Sequence, residues 1–342
     1  MPDIRTLFLT LFLVNVVLTL MLFTFWRSQK TYDGFQLWML SLLVTSSGYL
    51  LYLLEGFVPV LLSSTGANLL IALSVMMRLD STGRYFRARA LPRILYCILI
   101  PAAFLLFWFM IMSDSVVSRG VVVALLIVPC FVATSLIAIR SGEQETRSLR
   151  YSFSGALLVT ALLWTAIVVK GLVTPGDHSL GGPDPINPVF FLVTILMDIV
   201  LTASFLMLNM ARTQAELKQS EERYRNLADN LPDYVLIHDR EFIHYANPAA
   251  VRLLGFSPET LVGQSIYSIL TPESAVAARK VIDAIRSGEF PKHLSEIDIL
   301  LRDGTIRHCL ITTVRIEDKG VLSGLSVITD ITERKAAEDA LF

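Results

Sequence analysis

The stretch YANPAAVRLLGFSPETLVGQS, residues 245–265, decides the fold of the C-terminal third of the chain. Asn247 is a preferred helix N-cap residue, and Pro248 stands at the first helical position, where its missing N–H costs nothing. The pair Ser257–Pro258 repeats this arrangement and opens a second, short helix. Further along, Thr271–Pro272 opens a longer helix with apolar residues at helical spacing. Several helices in succession are therefore predicted here.

Short apolar runs lie on both sides of these helices and are typical of β-strands. Asp303–Gly304, between two of the runs, is a hairpin turn signal. The order along the chain is two strands, several helices and three more strands. The predicted strands are Tyr234–His238, Phe242–Ala246, Leu294–Arg302, Thr305–Ile316 and Gly324–Asp330.

This order and four sequence motifs closely resemble a PAS domain of the S-box type. The motifs are SEERYRNLADNLPDYVLIHD, YANPAAVRLLGFSPETLVGQS, LLRDGTIRHCLI and GLSVITDITERKAAEDAL, and the resemblance covers Ser220–Leu341. It implies an α+β fold, in which a five-stranded antiparallel sheet carries helices on one face and cups a pocket for a small molecule or cofactor. It also implies a signalling role, because PAS modules pass a change in the sheet to flanking helices. The motif residues are Asn247, Asp303, Gly304, Asp330 and Thr332.

The closing motif Asp330-Ile331-Thr332 resembles the exit signature of the family, in which Asp and Thr fix the last strand to the start of the output helix. By residue type, Asp330 and Thr332 are capping residues, and a helix is predicted over Glu333–Leu341. Two departures from the family pattern leave the identity of the pocket open. They are the short first hairpin HDREF and the segment TPES, which replaces an acidic segment with a His.

The resemblance leaves the cofactor unknown but disfavours haem and covalent flavin. Flavin-binding relatives carry a reactive Cys in the helical segment, whereas GQSIYSIL has none and Cys309 lies on a predicted strand. Haem-binding relatives use an axial His on the long helix, and Thr271–Gly288 contains no His. Four histidines of the PAS-like region lie on or beside strands, where surface or packing roles are favoured over ligation. They are His238, His244, His293 and His308.

Residues 211–230 are rich in helix formers with alternating charge and are predicted to continue the last membrane span as a connecting signalling helix. A seven-residue repeat along it keeps one seam on the same face, which favours parallel dimerisation. Thr213 and Ser220 at the intervening positions make the coiled coil weak. The linker seam consists of Met210, Leu217, Tyr224 and Leu231.

The chain as a whole is more apolar than an ordinary soluble protein. Of 342 residues, 54% are hydrophobic and 17% charged, and the mean hydropathy is +0.59. A spanning helix needs ~20 mostly apolar residues to cross the ~30 Å hydrocarbon core. Seven segments qualify; the third is rich in Ser, Thr, Gly and Asn, which leaves a six-span alternative open. The predicted spans are Ile4–Trp26, Phe35–Leu54, Pro59–Met77, Ile94–Met112, Val116–Ile139, Phe153–Leu172 and Val189–Met210.

Basic residues collect in alternate loops, which predicts the orientation by the positive-inside rule. They follow the first, third, fifth and seventh spans, whereas the opposite side has only Arg5, Arg119 and Lys170. This pattern predicts a multi-pass protein of the cell membrane, in contact with membrane lipid, with its N-terminus outside and its PAS-like domain in the cytoplasm. It also requires an odd number of spans. The basic residues on the predicted cytoplasmic side are Arg27, Lys30, Arg78, Arg84, Arg87, Arg89, Arg93, Arg140, Arg147, Arg150, Arg212 and Lys218.

Asp198, near the middle of the seventh span, is the sharpest functional candidate in the membrane part. Such a residue is able to pair with a cation, bind a ligand or titrate; alternatively, it is protonated or hydrogen-bonded and only locks helix packing. Asn15 and Asn68 favour helix linkage, and Glu55 lies at a span end. The Gly- and Pro-rich outer loop Lys170–Pro188 is either a cap over an external pocket or a plain surface loop.

Several classes of protein are excluded. A net charge of −1 gives no basic field for nucleic acid, and Cys97, Cys130 and Cys309 lack the spacing of a metal cluster or disulfide framework. The seventh span has no Lys for a retinal Schiff base. The chain contains neither the phosphoacceptor and nucleotide motifs of a histidine kinase nor a cyclase loop, so we predict no catalytic residues.

The sequence therefore predicts four parts, namely a transmembrane bundle over 1–210, a connecting helix over 211–230, a PAS domain over 231–332 and the start of an output helix over 333–342. The favoured function is that of a membrane-bound sensory receptor that relays a signal through the PAS domain to an output module or partner. The alternative is the sensory portion of a histidine kinase or diguanylate cyclase whose catalytic domain is absent from this chain. A transporter with an accessory domain is a third class, supported only by Asp198.

Overall fold

The structure is a computed structural model that describes residues 4–88, 93–112, 116–141, 146–173, 186–239, 241–286, 294–318 and 321–340. The chain divides into two compact units, Met1–Leu217 and Lys218–Phe342. The first is helical, and the second combines a β-sheet with short helices. Most of the predicted outer loop Lys170–Pro188 lies outside the described residues.

Seven helices among the described residues are long and apolar enough to cross a membrane, in agreement with the predicted number. A π-helical turn at Leu61–Gly66 leads into the third, and a 3₁₀ turn at Arg93–Ile98 leads into the fourth. The helices are α1 (Ile4–Ser28), α2 (Phe35–Leu53), α3 (Ala67–Tyr85), α4 (Leu99–Met112), α5 (Val116–Arg140), α6 (Arg147–Val173) and α7 (Ile186–Asn230).

The third span differs most from its predicted bounds. It does not end at Met77, because α3 continues through Arg78 to Tyr85. The segment RLDSTGRY contains no Pro, and the first Gly in it comes only near the end of the helix. Arg78 is therefore a buried helical residue and not part of a cytoplasmic loop. The polar residues that made this span look weak include Ser63 and Thr65, which are buried in the π-helical turn.

The core of the first unit is aromatic and joins four helices. The rings of Trp38 in α2 and Phe205 in α7 stack with centroids 4.4 Å apart. Phe153 in α6 lies 5.7 Å from Trp38, and Tyr85 in α3 lies 5.5 Å from Phe205. Between membrane helices, close packing and hydrogen bonds replace the hydrophobic effect as the stabilising force. This cluster therefore fixes how α7 packs against its neighbours.

The second unit contains a five-stranded antiparallel sheet, as the resemblance implied, and its strand order is β2-β1-β5-β4-β3. Its strands are β1 (Tyr234–His238), β2 (Ile243–Ala246), β3 (Leu294–Leu300), β4 (Ile306–Asp318) and β5 (Val321–Asp330). Its helices are α8 (Pro248–Leu254), α9 (Pro258–Leu261), α10 (Pro272–Arg286) and α11 (Thr332–Asp339), with a 3₁₀ turn at Ile266–Ile269.

One face of this sheet packs against the short helices. The strand register places Cys309 opposite Ile297, and Ile328 opposite both Tyr234 and Ile311, so these side chains share a face. Because alternate residues of a strand point to opposite faces, Leu236 lies on the same face as Tyr234. These residues form one buried core with Ala250 and Leu254 of α8, Leu261 of α9 and Ile266 and Ile269 of the 3₁₀ turn.

Candidate functional site

Asn247 is fully buried at the start of α8 and binds four backbone groups. Its Oδ1 accepts hydrogen bonds from the amides of Val235 and Ala250, both at 3.0 Å. Its Nδ2 donates to the carbonyl oxygens of Ala228 at 2.9 Å and Asp233 at 3.0 Å. The bond from Ala250 is the N-cap interaction. The remaining bonds tie α8 to β1 and to the last turn of α7, so Asn247 joins three elements.

The exit motif joins the last strand to α11 through three consecutive residues. The Thr332 amide donates to Asp330 Oδ1 at 2.9 Å, and Thr332 Oγ1 accepts a hydrogen bond from the amide of His308 at 3.0 Å. Between them, the amide of Ile331 donates to the carbonyl oxygen of His308 at 2.8 Å. The start of α11 is thereby fixed to β4 as well as to β5.

Asp303 and Gly304 form the turn between β3 and β4. Gly304 has φ of 85°, a left-handed conformation that favours glycine. Asp303 accepts hydrogen bonds from the hydroxyl and the amide of Thr305. These bonds hold the pKa of the Asp303 carboxyl below its usual value. Both residues shape the hairpin, and neither has a described contact that indicates chemistry.

A chain of polar side chains crosses the helix-facing side of the sheet. His238 Nδ1 lies 2.7 Å from the carbonyl oxygen of Asp239, which cannot donate, so this nitrogen carries the proton. His238 Nε2 then accepts from the Ser326 hydroxyl at 2.9 Å, and Ser326 in turn accepts from Thr313 Oγ1 at 2.8 Å. Gly324 makes room for the imidazole, because a Cβ there would lie 2.9 Å from a ring carbon of His238. The sequence patterns did not predict this network.

Burial of His238 lowers its pKa below the ordinary value of 6.5. As the pH falls, His238 therefore takes up a proton in the unfolded chain at a higher pH than in the folded domain. The stability that comes from burying the neutral imidazole is fully present above about pH 6.5 and is lost as the pH falls. We expect the second unit of the full chain to lose hydrogen-exchange protection between pH 7.5 and 5.5, and His238→Gln to reduce that loss. His244→Gln, at a more exposed site, is the control; equal slopes in the wild type and His238→Gln would contradict the prediction.

The remaining sequence candidates for cofactor chemistry occupy packing or surface positions. Cys309 is fully buried in β4, and burial raises the pKa of its thiol to about 12, so it is not a reactive thiolate at neutral pH. His244 contacts Asp239 at 2.9 Å, and His308 contacts Asp298 at 2.6 Å. His293 is outside the described residues. Within the described ranges, no three His, Cys, Asp or Glu side chains are grouped as metal ligands.

Inside the helical bundle, Asp198 pairs with a cation that comes from a distant part of the sequence. Arg78 Nη1 donates to Asp198 Oδ1 at 2.8 Å, and the two side chains are 5% and 9% exposed. Asn15 Nδ2 donates to the other carboxylate oxygen at 3.3 Å, and Arg78 Nη2 donates to Thr45 Oγ1 at 3.4 Å. These contacts connect α1, α2, α3 and α7 around one buried charge pair.

A second polar contact holds α7 four turns further along. The guanidinium of Arg212 lies 4.4 Å from the ring centroid of Tyr32 and 5.4 Å from that of Tyr85. Its Nη1 also donates to the Tyr85 carbonyl oxygen at 2.9 Å. One turn beyond, Glu216 pairs with Lys30 at 2.8 Å. The helix is thus fixed to α3 and to the α1–α2 connection by a cation between two aromatic rings.

Between these two contacts, α7 presents a continuous buried face. The buried residues recur every three or four positions, which is the period of one side of an α-helix. They are Asp198, Leu201, Thr202, Phe205, Leu208, Asn209 and Arg212. We name this face the buried seam of α7.

The sequence patterns did not predict the contacts of Arg78 and Arg212, because Arg78 was assigned to a cytoplasmic loop and Arg212 to the connecting helix on the cytoplasmic side. For Arg78, the sequence does contain an indication. No helix-breaking residue follows Met77 until Gly83, so the third helix is expected to continue through Arg78. Asn15 and Asn68 do link helices, since Tyr52 in α2 donates to Asn68 Oδ1 at 2.8 Å.

The four residues of the linker seam are exposed in the single chain. Met210, Leu217, Tyr224 and Leu231 are 46%, 61%, 70% and 43% exposed. They therefore remain available for a partner helix.

Comparison with known proteins identifies the second unit. The family model of the PAS fold matches residues 222–331. Together with the sheet order and the short helices, this match shows that the C-terminal part of the chain is a PAS domain, preceded by seven apolar helices.

Two curated proteins, a sensor and a kinase, have similar sequences. A methyl sulfide methyltransferase-associated sensor of Methanosarcina acetivorans is 30% identical over 126 residues, which are 36% of this chain and 12% of the sensor. Sporulation kinase E of Bacillus subtilis is 29% identical over 131 residues, which are 38% of this chain and 17% of the kinase. The chain thus matches less than a fifth of the length of either relative.

Among solved structures, the PAS domain of an HTR-like protein from Haloarcula marismortui is similar. Its sequence is 22% identical, and the superposition covers 35% of this chain and 98% of that domain with a TM-score of 0.31.

Proposed function

We propose that this chain is a membrane-bound sensory receptor that relays a signal through a cytoplasmic PAS domain to an output module or partner protein. The observation that carries the proposal is α7, one uninterrupted helix of 45 residues. At ~1.5 Å per residue it extends ~68 Å, more than twice the thickness of the ~30 Å hydrocarbon core. Its first half is the seventh apolar span, and it ends shortly before β1 of the PAS domain.

At the start of this path, the buried seam of α7 transmits changes in the bundle. Asp198 contacts side chains of α1 and α3, and Arg212 contacts the rings of Tyr32 and Tyr85. A movement of these neighbours changes the contacts of α7 itself. Rigid-body shifts of packed helices are a common switching motion.

At the other end, the last turn of α7 is bonded to the PAS core. Tyr245 in β2 donates its phenol hydrogen to Asp229 Oδ1 at 2.9 Å. Burial and this bond raise the pKa of Tyr245 to about 12, so the phenol remains a donor at neutral pH. Asn247 binds the carbonyl oxygen of Ala228 in the same turn. A displacement of α7 therefore acts on β2 and α8, and the exit motif carries it to α11.

The positions of basic residues support an orientation with the PAS domain in the cytoplasm. Basic residues lie at the C-terminal ends of alternate helices. Lys30 follows α1, Arg84 and Arg140 lie in the last turns of α3 and α5, and Lys218 lies in the C-terminal half of α7. Arg78 no longer belongs to this set, because it is buried within α3 and paired with Asp198. The alternation that remains is still the one that the positive-inside rule requires.

The relay requires a continuous helix, and a pair of glycine substitutions tests this. The full chain is fused behind residue 342 to the catalytic part of a histidine kinase, and one to four alanines are inserted after Lys218. Each inserted alanine rotates the residues that follow it by ~100° about the helix axis, relative to the residues that precede it. With the natural linker, we expect autophosphorylation to rise and fall with insert length. Leu217→Gly with Tyr224→Gly should abolish this dependence, since each Gly costs ~1 kcal/mol of helix stability.

The matched control replaces the same two residues by alanine, which keeps the helix and removes the seam. If the relay needs only a continuous helix, this variant retains the dependence on insert length. If the two helices of a homodimer must also pair along the linker seam, it loses the dependence and becomes monomeric. A glycine variant that behaves like the natural linker would contradict the proposed relay.

A second candidate function is the sensory portion of a histidine kinase in a two-component system. It is favoured by the similarity to a sensor and a kinase that are several times longer than the matched region. This chain carries no kinase motif, so the two candidates are separated on the protein in its native membranes, detected with an antibody against the PAS domain. A product at the mass of this chain, 38.1 kDa, that takes up no label from ATP supports the receptor, whereas a larger, labelled product supports the kinase.

A further inference from the structure

The hydrogen bonding of the Arg78–Asp198 pair is incomplete. One guanidinium nitrogen, Nη1, contacts the carboxylate, whereas strong arginine–carboxylate pairs are usually bidentate. Among the described residues, buried Arg78 Nε and Asn15 Oδ1 have no hydrogen-bond partner. Thr202 Oγ1, one turn from Asp198 on the buried seam, is also buried without a partner. The pair therefore lies among polar atoms whose bonding capacity is only partly used.

Net stability does not explain a pair of this kind. The cost of removing two charges from water often exceeds their mutual attraction, so apolar residues of similar volume serve a fold as well or better. Removal of one partner is nevertheless strongly destabilising, because it leaves an unpaired buried charge. A pair with these properties stabilises one relative position of two helices and destabilises the alternative positions. This role in setting the register of helices is the best-attested use of buried polar groups in proteins.

The geometry concentrates this effect on α7. Arg78 contacts α7 directly at Asp198, and its guanidinium also lies 5.7 Å from the ring centroid of Trp38. Trp38 stacks on Phe205, which is two turns further along the buried seam. One side chain of α3 is thus connected to α7 at two levels, and a change in its position alters both.

We propose that the Arg78–Asp198 pair is a latch that holds α7 in its resting register against α3, and that the input signal acts by separating the two side chains. This inference rests on the proposed relay through α7. With the latch closed, the buried seam stays packed. When the pair separates, Asp198 leaves its partners on α1 and α3, and α7 shifts or rotates.

A thiol on the buried seam reports this change without any knowledge of the signal. Asn209→Cys is introduced into the full chain after Cys97, Cys130 and Cys309 are replaced by alanine, and its reaction with N-ethylmaleimide is followed in lipid vesicles. Asn209 is fully buried. Addition of Asp198→Asn should raise the modification rate by at least ~10-fold, the factor that corresponds to ~1.4 kcal/mol.

Asp80→Asn is the matched control. Asp80 pairs with Arg84 at 2.9 Å within α3 itself and accepts a hydrogen bond from the Tyr96 hydroxyl at 3.5 Å, so the variant removes a buried carboxylate and an ion pair from the same helix as Arg78. The modification rate should stay at the parent value in this variant. An unchanged rate in Asp198→Asn, or an equal rise in both variants, would overturn the latch.

A double variant keeps the test decisive if Asp198→Asn fails to fold. Arg78→Met with Asp198→Leu removes both charges, so the thermal midpoint should return to that of the parent while the thiol remains reactive. A thiol protected as in the parent would show that packing alone sets the register and would overturn the latch.

The kinase fusion distinguishes failure of the latch from failure of the relay. A reactive thiol without a change in phosphorylation supports the latch and contradicts the relay.

Discussion

Gly34→Ala is expected to destabilise the helical bundle by roughly 2–5 kcal/mol. Gly34 precedes α2 with φ of 92°, which costs a residue with a side chain ~1–2 kcal/mol. A Cβ at this position would also overlap the carbonyl oxygen of Ser81 in α3, a backbone atom that cannot move aside alone. The Ser81 hydroxyl donates to the Gly34 carbonyl oxygen at 2.8 Å and fixes the close approach. Unfolding of the detergent-solubilised chain, followed by circular dichroism, measures the loss.

Gly56→Ala isolates the two contributions. Gly56 has φ of 93°, almost the same as Gly34, and among the described residues beyond its two chain neighbours no atom lies within 4 Å of the position that a Cβ would take. This variant should therefore show only the conformational cost of ~1–2 kcal/mol. If both variants lose the same stability, the close contact between Gly34 and α3 is not a constraint on the fold.

Asn247→Ala is expected to destabilise the PAS domain by about 3–5 kcal/mol. Loss of the N-cap bond costs ~1 kcal/mol, the buried amide of Val235 left without this partner adds ~1–3 kcal/mol, and the two lost hydrogen bonds to part-buried carbonyl oxygens add ~1 kcal/mol together. The groups affected are the amide of Val235 and the carbonyl oxygens of Ala228 and Asp233. Hydrogen exchange in the full chain should show lost protection in β1 and at the start of α8, together with a lower urea midpoint.

Asn230→Ala is the control for this loss. Asn230 is exposed, and its side chain donates to the carbonyl oxygen of Asn226 in the preceding turn of α7. Its replacement should change stability by less than ~0.5 kcal/mol. A comparable loss at both positions would mean that burial and the four hydrogen bonds of Asn247 do not set its importance.

The PAS fold could be predicted from sequence because its determinants are local. Asn247–Pro248 and Asp303–Gly304 specify a cap and a turn within a few residues, and both are found at the expected elements. The five strands were predicted from apolar runs, and their assembly into one antiparallel sheet followed from the family resemblance, whereas the spatial order of the strands was not predicted. Strand ends were less accurate, because pairing and not the apolar pattern sets them. β3 ends at Leu300, the last residue that pairs with β4, and β4 extends to Asp318, which pairs with Val321 of β5.

The polar contacts of the bundle could not be predicted in the same way. Arg78 and Asp198 are separated by 120 positions, and no local pattern connects them. A basic residue after an apolar run is normally read as the end of a span, and only the tertiary fold shows that Arg78 has a buried counter-charge. The network of His238, Ser326 and Thr313 likewise depends on the register of β1, β5 and β4, which sequence spacing does not specify.

The unbroken course of α7 has a thermodynamic consequence that concerns both of its ends. Coupling between two binding sites on one molecule is reciprocal. If a ligand of the bundle changes the affinity of the PAS domain for a second ligand by some factor, the second ligand changes the affinity of the bundle for the first by the same factor. A small molecule or partner that binds the PAS domain in one state of α7 would therefore change how tightly the membrane half binds its own signal. In such a receptor, occupancy on the output side sets the sensitivity of the input side.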